Sequence, residues 1–381
     1  MQWFLKYGPV KAVLSLVAIL LVLLPSAASA GFGTIDANKA YQAEHMRYLR
    51  EEYYSESYVP CDESKIAAFN IPDAIARGVK YNEVAFLGTH NSYKIGSTDE
   101  YKKLYEAFDV LTFGFISSET ALFAADTLTQ QLQLGIRNLE IDIETVVGDG
   151  SIDFAVSHIP YLDNVSSCYD LELALEEVKL WSDNNPGHLP VSVIIEPKRA
   201  VVPIDGMRGF NVDYANELDK LVSSVFGETL LTPADMMGEY SSFKEMREAD
   251  GWLPLGDTMG KVLVLLHDCS ATTKFIKQDE TIKSRAMFPV LRYNDRNESY
   301  TSFILDNEPD AALKHREENI NKCNLIVRTR ADSFPDFSEE RYAMINQCSS
   351  QIISSDYVVK AGETPYHTFS FDGYTVKLIN K

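Results

Sequence analysis

Short runs of aliphatic and β-branched residues recur along the chain and alternate with longer helical or irregular stretches. Seven runs predict strands, and they span residues 83–88, 136–143, 152–158, 190–196, 261–268, 325–332 and 351–357. Residues 286–293 form a weaker eighth candidate. The runs are mostly continuous rather than alternating, which is typical of strands buried on both faces of a parallel sheet.

The segments between these runs carry apolar residues at helical spacing. Residues 166–185 begin with capping residues and continue as an amphipathic helix, and residues 212–227 and 338–349 follow the same pattern. About eight such strand–helix units predict an α/β fold, an irregular TIM (β/α)8 barrel, with an open doubly wound sheet as the alternative. The sequence has no internal repeat and no long low-complexity linker, so we expect one catalytic domain over residues 83–381.

The first 30 residues have the pattern of a secretory signal peptide. Lys6 and Lys11 precede an apolar run, and small residues follow it up to Ala30. The run is shorter than the about 20 residues that a membrane span needs, so we expect cleavage and secretion, with an uncleaved anchor as the alternative. Residues 31–82 are predicted to form a helical lead-in to the catalytic domain.

The net charge of the chain argues against some binding partners, and its cysteine content bears on whether disulfides form. The chain has 55 acidic against 35 basic residues, a net charge of −20, which argues against nucleic acid and against polybasic docking to anionic lipids. In an oxidising compartment five cysteines predict two disulfides and one free thiol, with the pairing left open. These are Cys61, Cys168, Cys269, Cys323 and Cys348. If the source is eukaryotic, Asn164 and Asn297 begin glycosylation sequons.

Three carboxylates alternate with aliphatic residues in the segment "LEIDIE". On a strand, Glu140, Asp142 and Glu144 share one face, and in a buried strand they would be costly unless a cation neutralises them. A solvated strand face is the alternative. Because the carboxyl ends of barrel strands converge, Asn91 and Glu196 join Glu140 and Asp142 as predicted ligands. Oxygen ligands of this kind favour Ca²⁺, with magnesium or manganese as alternatives.

Two histidines close candidate strands beside this acidic segment. His90 follows the first strand and His158 follows "IDFAVS", whereas His267 ends a later strand and has a weaker claim to a role. A structural role is the usual explanation for one such histidine. Two of them beside a divalent cation suit phosphoryl transfer, since one imidazolium stabilises transition-state charge and the other protonates the leaving oxygen.

The motifs "GTHNSY", "LEIDIE", "VSH", "SVIIEPK", "RTRAD" and "QIISSDY" occur in this order and together resemble the secreted calcium-dependent phosphoinositide-specific phospholipases C. That family belongs to the PLC-like phosphodiesterase superfamily. The resemblance implies cleavage of phosphatidylinositol, or a glycosyl derivative of it, at a membrane surface, giving diacylglycerol and inositol phosphate through a cyclic intermediate. We expect a monomer without a stable transmembrane anchor.

The resemblance also implies roles for individual residues. His90 matches the histidine that contacts the phosphate, and His158 matches the general acid. The implied calcium ligands are Asn91, Glu140, Asp142 and Glu196. Lys198 and Arg330 are candidates for headgroup contacts, although Lys198 could equally pair with the acidic residues.

Two other functions fit the same residues. A glycerophosphodiesterase or a sphingomyelinase-D-like phosphodiesterase would share the barrel, the paired histidines and the acidic metal site. A secreted non-catalytic barrel could bind lipid headgroups, but it would have little physical reason to keep both histidines and all four ligands. Residues 107–117 are apolar and aromatic, and they predict either a rim loop that inserts into lipid or a core helix.

Overall fold

The computed structural model describes residues 25–95, 106, 124–148, 150–158, 166–198, 206–333, 338–357 and 369–379, with the backbone alone for residues 25–34. Most of the predicted signal peptide and the apolar segment 107–117 lie outside these residues, as does Asn164.

Eight parallel strands close into a barrel. The strands of the described residues are β1 (Val84–Thr89), β2 (Asn138–Gly148), β3 (Ser151–Val156), β4 (Val191–Pro197), β5 (Met207–Arg208), β6 (Val262–Leu266), β7 (Phe288–Arg292), β8 (Phe303–Leu305), β9 (Ile326–Arg330), β10 (Ile352–Ser355) and β11 (Val376–Leu378). The barrel order is β1, β2, β4, β6, β7, β8, β9 and β10, and every neighbouring pair is parallel. The predicted TIM-type barrel is confirmed.

Closure of the barrel depends on a glycine. β1 meets β2 where Gly88 pairs with Asn138. A Cβ atom on Gly88 would lie 2.6 Å from Asn138 Oδ1 and 2.9 Å from the Asn138 carbonyl oxygen, which is closer than real side chains approach. Glycine therefore allows the first strand to come near enough to the second to complete the ring.

The remaining three strands are antiparallel additions. β3 and β5 both pair with β2, and β11 pairs with β1. The prediction that residues 152–158 form one of the eight barrel units is therefore wrong, because this run folds back along the long β2 as a hairpin arm. The eighth strand of the barrel is instead β8, which lies between β7 and β9. Its three residues are too few to give a sequence signal.

Helices separate successive strands of the barrel along the chain. In chain order the α-helices of the described residues are α1 (Pro25–Tyr48), α2 (Glu63–Ile66), α3 (Ile71–Ala76), α4 (Leu128–Gln133), α5 (Leu171–Asn184), α6 (Val212–Phe226), α7 (Pro233–Met237), α8 (Phe243–Glu248), α9 (Leu255–Thr258), α10 (Ser270–Gln278), α11 (Pro309–Arg316) and α12 (Glu339–Cys348). The three helices that the spacing predicts are present as α5, α6 and α12. Within the described part of the chain, no helix combines the length and hydropathy needed to cross a membrane.

All five cysteines are free thiols, so the prediction of two disulfides is wrong for this structure. The thiols belong to separate parts of the fold and have other partners. Cys61 contacts the Arg137 guanidinium, and Cys348, at the end of α12, donates to backbone carbonyl oxygens. A disulfide needs two cysteines whose Cα atoms lie within about 7 Å, and the sequence gives no such proximity.

A buried histidine predicts acid sensitivity of the fold. Burial lowers the pKa of His188 to about 4. Its Nδ1 donates to the Leu189 carbonyl oxygen at 2.7 Å, and Nε2 accepts from the Ser182 hydroxyl at 2.7 Å. The unfolded chain takes up the proton near pH 6.5, so the free energy of unfolding should fall as the pH drops from 6.5 towards 4, by roughly 3 kcal/mol from this residue.

Urea denaturation at several pH values checks this prediction. The wild-type protein should lose more stability between pH 6.5 and pH 4 than His188→Gln, which has no group that titrates in this range. Equal losses in the two proteins would show that His188 does not contribute.

Candidate active site

The turn after β1 carries His90 and Asn91 at the carboxyl end of the barrel. Asn91 has a φ of 50°, a left-handed conformation that asparagine tolerates better than most residues. The next residue, Ser92, is tied to β2 twice: its amide donates to the Glu140 carbonyl oxygen at 2.9 Å, and its hydroxyl accepts from the Glu140 amide at 2.8 Å. These bonds bring Asn91 beside the acidic strand.

The register of β2 and β4 assembles three carboxylates. Asp142 pairs with Glu196, and Glu140 lies two residues earlier on the same face of β2. One carboxylate oxygen from each of Glu140, Asp142 and Glu196 can be chosen so that all three lie within 4.8 Å of one another. The three acidic ligands that the sequence predicts are therefore together, and we call them the acid cluster.

The acid cluster and Asn91 fit a divalent cation. Oδ1 of Asn91 and Oδ1 of Asp142 are buried and have no hydrogen-bond partner among the described residues. A buried oxygen without a partner is unfavourable, and a bound cation would satisfy both atoms. A set made only of carboxylate and amide oxygens matches the preference of Ca²⁺.

Lys198 and Arg328 each form ion pairs with carboxylate oxygens of the acid cluster. Lys198 Nζ lies 3.0 Å from Asp142 Oδ2 and 3.1 Å from Glu196 Oε1, and the Tyr93 hydroxyl also donates to Asp142 Oδ2 at 2.9 Å. The Arg328 guanidinium pairs with Oε2 of Glu140 across the barrel interior. Each carboxylate thus has one oxygen held by the protein, which positions the other.

The charges of the cluster are unevenly compensated. Burial on its own would raise the pKa of Glu140, but the Arg328 guanidinium and the nearby imidazole of His90 lower it to about 2. Burial raises the pKa of Asp142, and the Lys198 ammonium does not fully offset this. The buried carboxylate of Asp142 would therefore gain from a further positive charge.

His90 belongs to a dyad with Asp356, a residue that the sequence does not single out. Its Nδ1 lies 2.9 Å from Asp356 Oδ1, so the proton is held on Nδ1 and the pair fixes the ring. An Arg330 nitrogen lies 3.3 Å from His90 Nδ1 and 3.4 Å from Asp356 Oδ2. The pairing of Thr89 with Ser355 between β1 and β10 brings His90 and Asp356 side by side.

His158 reaches the site through the β2–β3 hairpin. β3 runs back along β2 until Val156 pairs with Ile143, and the Ser157 amide donates to the Asp142 carbonyl oxygen at 3.3 Å. The imidazole of His158 is close enough for its charge to act on Asp142, against the effect of burial. The structure thus brings both predicted histidines to the acid cluster, although only one of them follows a barrel strand.

A cavity of about 540 Å³ opens beside the cluster at the ends of β4, β6 and β7. Its lining includes Glu196, Lys198, Phe210, His267, Asp268 and Arg292. The two lining cations are already paired: Lys198 with the acid cluster, and Arg292 Nε with Asp268 Oδ2 at 3.0 Å. The cavity can therefore take a polar, uncharged group next to the metal site.

Comparison with known proteins decides the family. The model of the Ca²⁺-dependent phosphoinositide phospholipase C family matches residues 150–381, which include His158, Glu196, Lys198 and Arg330. The chain belongs to this family. It is accordingly a phosphodiesterase, and the sequence resemblance to the calcium-dependent phosphoinositide-specific phospholipases C is confirmed. No curated protein sequence matches the chain.

Solved phospholipase structures share the fold of this family member. A calcium-dependent phosphoinositol-specific phospholipase C from a Pseudomonas species, solved as a myoinositol complex, matches with a TM-score of 0.55 and 20% identity over 84% of this chain and 100% of that chain. A Ca²⁺-dependent phosphatidylinositol-specific phospholipase C from Streptomyces antibioticus matches with a TM-score of 0.51 and 18% identity over 73% of this chain and 94% of that chain. At these identities the likeness supports the barrel alone.

Proposed function

We propose that this enzyme cleaves phosphatidylinositol, or a glycosyl derivative of it, to diacylglycerol and inositol phosphate through a cyclic diester. The observation that carries the proposal is the convergence of Asn91, the acid cluster, His90 and His158 at one end of the barrel. We also propose that residues 83–381 form the catalytic domain, because β1 begins at Val84 and pairs with β11 near the end of the described chain.

The proposed ligands are Asn91 and the three residues of the acid cluster. When bound there, calcium supplies positive charge that lowers the pKa of the inositol 2-hydroxyl and balances charge on the phosphate. A carboxylate of the acid cluster accepts the proton of the 2-hydroxyl, and the hydroxyl oxygen forms the new bond to phosphorus. His158 donates a proton to the diacylglycerol oxygen as the old phosphorus–oxygen bond breaks. Water then opens the cyclic diester.

His90 and Arg330 are proposed to contact the phosphate. Asp356 holds the proton of His90 on Nδ1, which keeps the imidazole in one orientation. The guanidinium of Arg330 lies against the same dyad, at a place where it can stabilise charge that develops on the phosphate oxygens. Lys198 is a weaker candidate for a headgroup contact, because its ammonium is held by Asp142 and Glu196.

The cavity supports an inositol ring without additional phosphates. Its cations, Lys198 and Arg292, are both in ion pairs, so a phosphorylated ring would have to compete with Asp142, Glu196 or Asp268 for them. Hydroxyl groups can instead share these charged side chains as hydrogen-bond partners. Secretion, a monomeric state and glycosylation at Asn164 and Asn297 remain predictions from the sequence.

A hydrolysis assay tests the proposed function. Vesicles containing phosphatidylinositol should release diacylglycerol, thorough chelation should abolish the release, and added calcium should restore it. Glycerophosphodiesters and sphingomyelin serve as the comparison substrates. Hydrolysis of those compounds with phosphatidylinositol left intact would favour the glycerophosphodiesterase or sphingomyelinase-D-like function, and binding without hydrolysis would favour a non-catalytic barrel.

The dyad gives a further prediction. Asp356→Asn should reduce kcat by about 10- to 100-fold while KM changes little, because the amide no longer fixes the tautomer and orientation of the His90 imidazole. Steady-state kinetics measure both constants. A kcat close to that of the wild type would show that Asp356 does not act through His90.

A further inference from the structure

Lys198 is a fixed positive charge inside the proposed calcium site. Its ammonium bridges two of the three carboxylates, at 3.0 Å from Asp142 Oδ2 and 3.1 Å from Glu196 Oε1. Its backbone is held as well, because the Lys198 amide donates to the Ile143 carbonyl oxygen at 2.8 Å. The side chain is only 19% exposed, so water screens this charge weakly.

Asp142 Oδ2 also accepts a hydrogen bond from an uncharged group, the Tyr93 hydroxyl. Comparing the two partners distinguishes the effect of orienting the carboxylate from the effect of a nearby charge. The Tyr93 hydroxyl donates to Asp142 Oδ2 at 2.9 Å, so this carboxylate is oriented by Tyr93 as well as by Lys198. Tyr93 adds no positive charge, and it can only help the carboxylate to receive a cation. Lys198 instead places a full charge of the same sign as the metal beside two ligands.

The positive charges of Lys198 and Arg328 cancel most of the negative charge of the acid cluster. Glu140, Asp142 and Glu196 bring three negative charges, and Lys198 with Arg328 brings two positive ones. A divalent cation therefore enters a site whose negative charge is largely cancelled. Of the two protein cations, Lys198 contacts two ligands, whereas Arg328 contacts Glu140 and also Asn307.

We propose that Lys198 acts as a built-in counter-cation that lowers the affinity of the acid cluster for calcium, and so raises the calcium concentration at which the enzyme becomes active. This inference rests on the calcium-dependent function proposed above. In the absence of the metal, Lys198 keeps Asp142 and Glu196 together. The same contact opposes the metal when it binds.

An alternative role for Lys198, that of orienting the metal ligands, predicts the opposite change in calcium affinity. If the lysine mainly orients the ligands, its removal should weaken metal binding by about 10- to 100-fold, as is common for groups that support metal ligands. If it acts chiefly through its charge, its removal should strengthen binding. The sign of the change therefore decides between the two roles.

Isothermal titration calorimetry with CaCl₂, without substrate, measures that sign. Lys198→Met should bind calcium at least about tenfold more tightly than the wild type, because a like charge beside the metal is gone. Lys198→Arg keeps the charge and should stay within a few-fold of the wild type. Tyr93→Phe loses only the neutral hydrogen bond and should bind more weakly.

Thermal unfolding with and without calcium keeps the test valid if Lys198→Met is less stable. In chelator the melting temperature of this variant should be lower than that of the wild type. The rise in melting temperature on adding calcium should be larger for the variant than for the wild type. Unchanged or weaker calcium binding by Lys198→Met would overturn this inference, whereas the proposal that the wild-type enzyme depends on calcium would still stand. A wild-type protein that hydrolyses phosphatidylinositol without binding calcium would overturn this inference and the metal site together.

Discussion

His90→Ala should reduce the rate of phosphatidylinositol cleavage by roughly 10³-fold, because the reaction loses the imidazole that is paired with Asp356 and proposed to contact the phosphate. Most of the loss should fall on kcat, since this contact is stronger in the transition state than in the ground state. Calcium binding should persist, because His90 is not among the proposed ligands. Steady-state kinetics with a calcium titration measure both quantities.

His315 provides a matched control. Its Nδ1 lies 2.8 Å from Asp306 Oδ2, a histidine–aspartate pair like that of His90, but its ring stacks on Tyr293 instead of contacting the acid cluster. His315→Ala should keep catalytic activity near the wild-type level per folded molecule. Similar losses of activity per folded molecule in the two variants would mean that the position of His90 at the acid cluster does not explain its effect, and would contradict a catalytic role for His90.

Asp142→Asn should remove calcium binding and reduce activity by roughly 10³-fold, the contribution of several kcal/mol expected of a catalytic metal. Its stability in chelator should stay close to that of the wild type, because burial disfavours the charge of Asp142 while the ion pair with Lys198 favours it, and the two effects oppose each other. The wild type should gain about 2.7 kcal/mol of unfolding free energy at calcium concentrations about a hundred times the Kd, and the variant should gain none. Thermal unfolding and calorimetry check both statements.

Glu144 is the control for this variant. It is the next residue on the same face of β2 and is also buried, and burial raises its pKa to about 7, but it is not a member of the acid cluster. Glu144→Gln should therefore retain calcium-dependent stabilisation. Loss of calcium binding in Glu144→Gln but not in Asp142→Asn would move the metal site along the strand and contradict the proposed ligand set.

The sequence predicts the barrel because its long buried strands are continuous aliphatic runs. β4 and β6 are examples, and the parallel arrangement follows from the helices between such runs. Two features have no local signal. β8 is three residues long, and β3 has the composition of a buried strand although half of it lies on an exposed hairpin arm. Which strand neighbours which is decided by tertiary packing.

The proposed ligands and histidines are also accessible to sequence reasoning, because each follows or lies within a recognisable strand. Their supporting partners are not. Asp356 is 266 residues from His90, and Arg328 is 188 residues from Glu140. A barrel in which β1 neighbours β10 would have placed Asp356 beside His90, so topology is the one signal that could have found it. The disulfide prediction failed because a count of cysteines carries no information on their separation in space.

The most direct measurement is a crystal structure of the calcium-soaked protein with anomalous difference density for the ion. The account predicts one Ca²⁺ at about 2.3–2.6 Å from oxygens of Asn91, Glu140, Asp142 and Glu196, with His90 and His158 on either side of a bound inositol phosphate. An ion bound elsewhere, or density absent from this site at saturating calcium, would contradict it.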